Sequence, residues 1–305
     1  MVVTGVSGLL GATFALTAAD HFAVTGLYGQ HPFQLPQRCC FAVDLRSAAE
    51  TRVHLDERQP QVLVHFAAAT NVDRCEEHPE EAVELNVDAT RRLAEWANAN
   101  QCRFLLMSTD SVFDGRNGGH TEAEKPRPIN CYAATKLAAE QVVRSLVPDH
   151  LIVRANIYGW NAQPKSSLGE WILGRLETGQ ALQGFTDVIF APLLANTLAE
   201  ILLDLLKQDA HGTIHLASRD SISKFDFAVA LAEVFGFHPN RVQPTTLAGA
   251  QLRAPRPLNT ALCADFAQRE FRILLPTVRE DLLRFKRLRD EGYPAWLKSL
   301  ATDKS

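Results

Sequence analysis

The first half of the chain alternates short β-branched runs with longer amphipathic stretches, and this alternation constrains the fold more than any other feature. Strands that alternate with helices form a parallel sheet with helices on its faces. The runs that predict strands are Val2–Thr4, Ala23–Leu27, Cys40–Asp44, Val62–Ala67, Arg103–Ser108 and Leu151–Arg154. The stretches that predict helices are Leu10–Asp20, Ala48–Gln59, Pro79–Asn100 and Cys131–Leu146. The pattern predicts an α/β fold with a Rossmann-type, doubly wound parallel sheet.

Composition excludes several classes of protein. The 305 residues are 46% hydrophobic and 22% charged, which is typical of a globular chain with a sizeable core. The net charge of −4, with mixed signs along the chain, gives no basic surface for nucleic acid or membrane lipid. No apolar run approaches the roughly 18 residues of a membrane span, and no signal peptide is visible. The six cysteines lack ligand spacing, which indicates reduced thiols in the cytoplasm and no metal site.

A glycine-rich turn, Thr4-Gly-Val-Ser-Gly-Leu-Leu-Gly11, lies between the first strand and the first helix. Gly5 permits a tight turn, Gly8 lets backbone N–H groups approach a pyrophosphate, and Gly11 allows close packing of the helix. Because Met1 almost enters the first strand, either that strand is unusually short or the chain starts further upstream. The turn predicts a dinucleotide site.

The sequence also bears on the choice of dinucleotide. Asp44, at the end of the third predicted strand, can accept a hydrogen bond from an adenine amino group. The second predicted strand ends at Leu27 and is followed by Tyr28-Gly29-Gln30, with no carboxylate to bind a ribose 2′-hydroxyl. This favours NADP, with NAD as the alternative.

Tyr132 and Lys136 lie four residues apart, on one face of a predicted helix. Thr109 follows a predicted strand, at the carboxyl edge where ligands bind in open α/β sheets. Reduction of a carbonyl needs a proton donor at the oxygen, and Tyr132 can supply it if Lys136 lowers its pKa from about 10. Thr109 can donate a hydrogen bond to the same oxygen. The three residues predict carbonyl chemistry beside the dinucleotide.

These segments together resemble a known family. The glycine turn, Ser108-Thr-Asp-Ser-Val-Phe-Asp-Gly115 and Tyr132-x-x-x-Lys136 resemble the extended short-chain dehydrogenases/reductases, in the dTDP-4-dehydrorhamnose reductase (RmlD-like) branch. Further matches are the segment Ala67–Glu76, Asn86 and the segment Arg256–Leu262, so the resemblance covers nearly the whole chain. It implies an NAD(P)H-dependent reductase of a nucleotide-linked 4-keto-sugar, with a homodimer as one option for its assembly.

The resemblance also implies roles for individual residues. The catalytic residues would be Thr109, Tyr132 and Lys136. The cofactor would contact Gly5, Ser7, Gly8, Leu9, Leu10, Gly11, Asp44, Leu45, Ala67, Ala68, Ala69, Asn86, Ser108, Tyr132 and Lys136. The substrate would contact Thr70, Val72, Asp110, Asn156, Asp187, Phe190 and Arg256, although a salt bridge is an equally open role for Arg256.

The chain after Gly159 has longer loops, and a smaller second part is predicted there. Residues 1–158 would form the NAD(P)-binding Rossmann domain, including the catalytic helix, and residues 159–305 mainly a substrate-binding lobe, with some segments returning to the core. Predicted elements in this lobe are helices at 168–177, 196–208 and 224–235, a strand at 213–217 and a helix from Thr277.

Two departures from the family pattern affect the substrate side. Ser111 stands where the family has a tyrosine, and the segment from Arg154 to Asn161 is one residue shorter than expected. Two alternatives to the reductase stay open. One is a regulatory nucleotide-binding protein resembling the methionine adenosyltransferase regulatory subunit, and the other is a sugar-nucleotide epimerase. Dehydration is disfavoured, because Thr109 is followed by Asp110-Ser111 and not by Asp-Glu.

Overall fold

A computed structural model describes residues 1–250 and 252–301. The strands are β1 (Val2–Thr4), β2 (Thr25–Tyr28), β3 (Cys39–Ala42), β4 (Val62–His65), β5 (Arg103–Thr109), β6 (His150–Ala155), β7 (Ile157–Tyr158), β8 (Leu182–Phe185), β9 (Ile189–Phe190), β10 (Leu193–Leu194), β11 (Gly212–His215), β12 (Ile222–Ser223) and β13 (Val242–Thr245). The helices are α1 (Leu9–Ala18), α2 (Ala48–Arg58), α3 (Val72–Glu77), α4 (Pro79–Val83), α5 (Ala89–Ala99), α6 (Cys131–Leu146), α7 (Leu168–Glu177), α8 (Ala195–Lys207), α9 (Lys224–Val234), α10 (Asp265–Phe271), α11 (Val278–Asp290) and α12 (Tyr293–Ser299).

Seven parallel strands form the central sheet, in the order β11-β6-β5-β4-β1-β2-β3. The chain runs outward in one direction from β1 to β3 and in the other from β4 to β6. The two directions separate between β1 and β4, and ligands bind at such switch points, beyond the carboxyl ends of the strands. Gly5 follows β1 at this edge, and Thr109 ends β5 there.

The two faces of the sheet bury separate apolar cores, as the period of two in a strand requires. In β5, Phe104 and Leu106 belong to the core shared with α5 and α6, while Leu105 belongs to the core on the other face. On that other face α1 packs against α8, which comes from the second half of the chain. Since β11 also pairs with β6, segments beyond residue 159 return to the Rossmann sheet.

The second half also builds a smaller lobe from short strand pairs and helices. The pairs are β7–β10, β8–β13 and β9–β12. Aromatic side chains fill its interior, with Tyr158, Phe190 and Phe285 among the largest fully buried ones. The position of the boundary between domain and lobe near residue 158 stays a prediction.

Predicted boundaries in the first half differ from the observed ones by a few residues. The third strand ends at Ala42 and not at Asp44, and the fourth ends at His65 and not at Ala67. The predicted helix 79–100 is interrupted by a π-helical turn, Glu84–Asp88. The helix predicted for 131–146 has the observed bounds. No helix among the described residues is long and apolar enough to cross a bilayer.

Candidate active site

The glycine turn has the geometry that a dinucleotide needs. Gly5 has a φ of +68°, and a Cβ added there would lie 2.6 Å from the Ala67 nitrogen. A Cβ at Gly11 would lie 2.0 Å from the Gly5 carbonyl oxygen, so helix α1 approaches the turn as closely as it does because Gly11 has no side chain. At Gly8 an added Cβ would meet only the Gly5 oxygen, at 3.3 Å, which leaves space for a pyrophosphate at the N-terminus of α1.

The other predicted cofactor residues near the turn fall into two groups. Leu10 and Leu45 are buried, whereas Gly8 and Ala67–Ala69 keep part of their surface accessible. Asp44 lies beyond β3, where Arg46 holds it through a salt bridge of 2.8 Å. Hydrogen bonding from the Arg46 guanidinium lowers the pKa of the Asp44 carboxyl, which therefore stays ionised at neutral pH.

The side chain of Asn86 makes hydrogen bonds to two segments of the chain next to the predicted cofactor site. Its Oδ1 accepts from the Ala69 nitrogen at 2.7 Å, and its Nδ2 donates to the Ala69 carbonyl at 3.2 Å and to the Thr135 hydroxyl at 2.9 Å. Because the side chain is 1% exposed and fully engaged, it holds the loop after β4 against α6. The contact of Asn86 with the cofactor stays a prediction.

Ser108 is also engaged within the protein. Its hydroxyl donates to Glu140 Oε1 at 2.5 Å, and the side chain is buried. Glu140 in turn accepts from Arg154 at 2.6 Å. The side chain of Ser108 thus joins a buried charged network that connects β5, α6 and β6, and its contact with the cofactor stays a prediction.

The structure brings Tyr132 and Thr109 together. Tyr132 lies in the first turn of α6, whose N-cap Asn130 accepts a hydrogen bond from the Ala133 nitrogen at 2.9 Å. Its phenol lies near the Thr109 hydroxyl at the end of β5, close enough for Thr109 to lower its pKa. The two groups reach the same point at the carboxyl edge of the sheet, as the sequence predicts.

Burial acts on the two titratable catalytic groups in opposite directions. It raises the pKa of Tyr132 to about 12, despite the opposing influence of the nearby Thr109 hydroxyl. It lowers the pKa of Lys136 to about 8, against the influence of Glu140, one helical turn away. The expected lowering of the Tyr132 pKa by Lys136 is wrong for this arrangement, because burial of the phenol has the largest effect and raises its pKa.

His65 lies beneath the same site. Its Nδ1 lies 2.7 Å from the Thr4 hydroxyl, and its Nε2 lies 3.0 Å from the Thr90 hydroxyl. Burial, assisted by the Lys136 charge, lowers the pKa of His65 to about 3. A neutral imidazole therefore connects the ends of β1 and β4 without adding a positive charge beside Lys136.

Asp110 organises the substrate side. It is 1% exposed, and its Oδ2 accepts from Asn156 Nδ2 at 2.9 Å and from the Thr260 hydroxyl at 2.5 Å. Its Oδ1 accepts from the Thr109 hydroxyl at 3.1 Å. Asp110 and Asn156 thus lie together, as predicted, but the carboxylate is occupied by protein donors and positions Thr109.

The remaining predicted substrate residues are more dispersed. Thr70, just before α3, accepts from Lys165 Nζ at 2.9 Å. Asp187 accepts from the Leu247 nitrogen at 2.9 Å, which ties two loops of the second lobe together. Val72 opens α3 and is partly exposed, while Phe190 is 1% exposed.

Arg256 makes a salt bridge to Asp73, with its Nη2 3.0 Å from Asp73 Oδ2. Its Nη1 donates to the Ala254 carbonyl at 2.9 Å. A hydrogen bond from the Ala254 nitrogen, together with Arg256, lowers the pKa of Asp73. Of the two roles left open for Arg256, the salt bridge is the observed arrangement.

Sequence reasoning missed four residues at this site: His65, Glu140, Lys224 and Thr260. Glu140 carried a signal, since it lies four residues after Lys136 on the same helix. Thr260 is in the Arg256–Leu262 segment that supports the family resemblance. His65 and Lys224 carried no such signal, because only the folding of the chain brings them close to the other residues of the site. No cluster of three or more metal-ligating side chains occurs in residues 1–250 and 252–301.

Comparison with known proteins places this arrangement in a family. The family described as RmlD substrate binding domain matches residues 1–288. This chain belongs to that family. The RmlD-like resemblance within the extended short-chain dehydrogenases/reductases is therefore confirmed.

Three curated relatives are similar over most of the chain. The probable low-salt glycan biosynthesis reductase Agl14 of Haloferax volcanii is 32% identical over 92% of this chain and 95% of its own length. Methionine adenosyltransferase 2 subunit beta of Danio rerio is 30% identical over 86% and 82%. The dTDP-4-dehydrorhamnose reductase of Sinorhizobium fredii is 29% identical over 93% and 95%. This chain is thus similar to two proteins named as reductases and to one named as a subunit of another enzyme.

Solved structures share the fold. The dTDP-4-dehydrorhamnose reductase of Bacillus anthracis, in complex with NADP, superposes with a TM-score of 0.82 at 24% identity, over 94% of this chain and 98% of that chain. The orthologue from Clostridium acetobutylicum gives a TM-score of 0.83 at 24% identity, over 95% and 99%. The predicted Rossmann-type α/β fold is confirmed.

Proposed function

We propose that this chain is an NADPH-dependent reductase that converts the keto group of a nucleotide-linked sugar, a 4-keto-sugar by its family resemblance, into an alcohol. The observation that carries the proposal is the position of the Tyr132 phenol near the Thr109 hydroxyl at the carboxyl edge of the sheet, with Lys136 one helical turn further along α6. Its RmlD-family relatives include proteins named as reductases, one of them a dTDP-4-dehydrorhamnose reductase. NAD stays the alternative cofactor.

The residues fit the cofactor. The glycine turn leaves space beside Gly8 that a side chain would fill, at the N-terminus of α1, where a pyrophosphate is stabilised by free N–H groups. Small residues, Ala67–Ala69, follow β4 on the other side of the turn. Lys136, 5% exposed, would hold the nicotinamide ribose from α6.

When bound, NADPH supplies the hydride that the carbonyl carbon receives. The protein's part is the proton and the developing charge on the oxygen. Tyr132, with a pKa of about 12, is a phenol at neutral pH and donates its proton to the carbonyl oxygen. When substrate is bound, the Thr109 hydroxyl donates to the same oxygen in place of Asp110, and the Lys136 ammonium stabilises the phenolate that remains.

A regulatory role is the second candidate, because a relative named as the beta subunit of methionine adenosyltransferase 2 is 30% identical to this chain. The assembled Tyr132, Thr109 and Lys136 favour the enzyme, since a subunit that only binds nucleotide has no need for a buried proton donor. The homodimer and the cytoplasmic location stay predictions, which sedimentation and cell fractionation would test.

The decisive experiment is a panel of dTDP-, UDP- and GDP-linked 4-keto-sugars incubated with the purified protein and NADPH or NADH. We expect loss of the reduced-nicotinamide absorbance with at least one sugar nucleotide, faster with NADPH, and stoichiometric formation of the alcohol. If no member of the panel is reduced and the protein instead co-purifies with a synthetase, the reductase proposal fails.

A further inference from the structure

Lys224 is a cation of the second lobe that the proposed mechanism does not use. It is the first residue of α9, and its backbone nitrogen donates to the Val188 carbonyl at 2.9 Å. The antiparallel pairing of Ile222 with Phe190 fixes the chain just before it. The Lys224 ammonium lies 3.2 Å from the centroid of the Phe190 ring. Its position is therefore set by a strand pair and a helix start, and not by a flexible loop.

This position is unfavourable for a cation in three ways. Burial lowers the pKa of Lys224 to about 7. The first turn of a helix carries the positive end of the helix dipole, which repels a positive charge. In the described part of the chain, no carboxylate forms an ion pair with the ammonium.

The protein compensates these costs only in part. A cation above an aromatic face is stabilised, but the Phe190 ring carries no negative charge that could pair with the ammonium. Asp110 favours the charged form of Lys224, yet its carboxylate oxygens already accept from Asn156, Thr260 and Thr109. Buried charges in proteins are normally paired. An anionic ligand would supply the missing partner.

Asp110 also relates Lys224 to the reaction centre. Thr260 donates its hydroxyl to Asp110 and its backbone nitrogen to the carbonyl of Ile189, the residue before Phe190. The Asp110 carboxylate is therefore near the ammonium, and its charge influences the pKa of both Tyr132 and Lys224. Tyr132 approaches from the Rossmann side, and Lys224 from the second lobe. A 4-keto-sugar nucleotide has a matching layout, because its keto group and its diphosphate lie at opposite positions of the hexose ring.

We propose that the Lys224 ammonium binds the diphosphate of the sugar nucleotide and so directs the opposite end of the hexose toward Tyr132. This assignment rests on the proposed function for its substrate class. Lysine suits the task, because its compact charge can contact phosphate oxygens from several directions. Lys224 would thus be a substrate-binding residue whose charge contributes little to the stability of the free protein.

The test compares Lys224→Met with Lys224→Arg and with a matched control, Lys207→Met, which removes an exposed lysine from the end of α8. The probes are dTDP, UDP, GDP and inorganic pyrophosphate, titrated calorimetrically. The binding of NADPH is followed by fluorescence, and each variant's Tm is measured. Steady-state turnover of the wild type and of each variant on the panel of sugar nucleotides is recorded separately.

We expect Lys224→Met to weaken the binding of the preferred nucleoside diphosphate by at least about tenfold, as the loss of a charge-assisted hydrogen bond requires. Lys224→Arg should retain most of the affinity, and Lys207→Met all of it. The binding of NADPH should not change. Lys224→Met should keep or raise the Tm, because it removes an unpaired, partly buried charge.

Three results would overturn the assignment. The first is a wild-type protein that binds no nucleoside diphosphate, and the second is a Lys224→Met variant that binds it as tightly as wild type. The third is a Lys224→Met variant whose KM for the sugar nucleotide is raised while its diphosphate binding is unchanged. The last would place Lys224 on the sugar. Wild-type protein that binds the diphosphate through Lys224 but reduces no keto-sugar would instead contradict the proposed function and leave this assignment standing.

Discussion

Tyr132 and Lys136 show how burial prepares a proton donor. With a pKa of about 12 the phenol keeps its proton at neutral pH, and with a pKa of about 8 most of the lysine is an ammonium. Before the reaction, Tyr132 is therefore protonated and Lys136 is mostly charged, as donation of a proton to a carbonyl oxygen requires. Once the proton has left, the neighbouring positive charge and the Thr109 hydroxyl both favour the phenolate.

At the residue scale, Tyr132→Phe removes the proton donor and almost nothing else. We expect kcat for the keto-sugar to fall by about 10²- to 10⁴-fold, the range that general acid catalysis contributes. The Kd for NADPH should change little, because the phenol acts on the substrate oxygen. Stopped-flow measurement of NADPH oxidation, with fluorescence titration of NADPH, checks both. Complete loss of NADPH binding would contradict this division of roles.

Gly8 and Gly11, two of the three glycines where β1 turns into α1, have different roles. A Cβ at Gly11 would lie 2.0 Å from the Gly5 carbonyl oxygen, whereas a Cβ at Gly8 would lie 3.3 Å from the same atom and meet nothing else. The absence of a side chain at Gly11 therefore allows α1 to pack closely against the turn, and its absence at Gly8 leaves space in front of the N-terminus of α1. Substitutions at Gly11 and at Gly8 should therefore have different effects on stability and on cofactor binding.

We expect Gly11→Ala to destabilise the fold by about 1–3 kcal/mol, the usual cost of overpacking, and to lower the Tm. Gly8→Val should leave the Tm within a few degrees of wild type, because Gly8 has an ordinary extended conformation (φ −80°, ψ 170°). Its affinity for NADPH should fall first, since the new side chain fills the space for the pyrophosphate. Calorimetric melting and NADPH titration of both variants check this. Equal effects on stability would contradict it.

The elements that the sequence predicts well are those with local signals. Cys131–Leu146 has an N-cap asparagine and a regular apolar stripe, and it was predicted with its observed bounds. The π-helical turn Glu84–Asp88 has no such signal, because it widens an amphipathic helix without changing its composition. Strands of two residues, such as β9 and β12, are too short for any periodicity to show.

At the scale of the whole molecule, the site depends on contacts that no local pattern contains. Thr260 donates to Asp110 across 150 positions of sequence, and Lys224 reaches the vicinity of the same carboxylate from α9. The positions of Thr109, Tyr132 and Lys136, the proposed catalytic residues, were predictable because their spacing and order follow from the Rossmann fold. The second lobe's contribution was not, since it depends on how that lobe's short strands bring α9 and the 256–262 segment to the sheet edge.

Asp73 and Arg256 connect the same two parts of the molecule, with Asp73 on α3 and Arg256 in the segment that crosses from the second lobe. The pair is partly exposed, at 36% for Asp73 and 23% for Arg256, so its contribution to stability should be about 1 kcal/mol or less. Its larger effect should be on the position of the 252–262 segment over the cleft. If so, the loss of Asp73 and the loss of Arg256 should have the same effect on the position of this segment.

We therefore expect Arg256→Gln, Asp73→Asn and the double variant to raise the KM for the sugar nucleotide by similar, small factors, with kcat nearly unchanged. The double variant should be no worse than either single one, because both substitutions remove one interaction. Steady-state kinetics of the four proteins, with chemical unfolding in parallel, measures this coupling. If Arg256→Gln alone raised the KM strongly while Asp73→Asn did not, Arg256 would bind the nucleotide directly, and its salt bridge would be only its resting position.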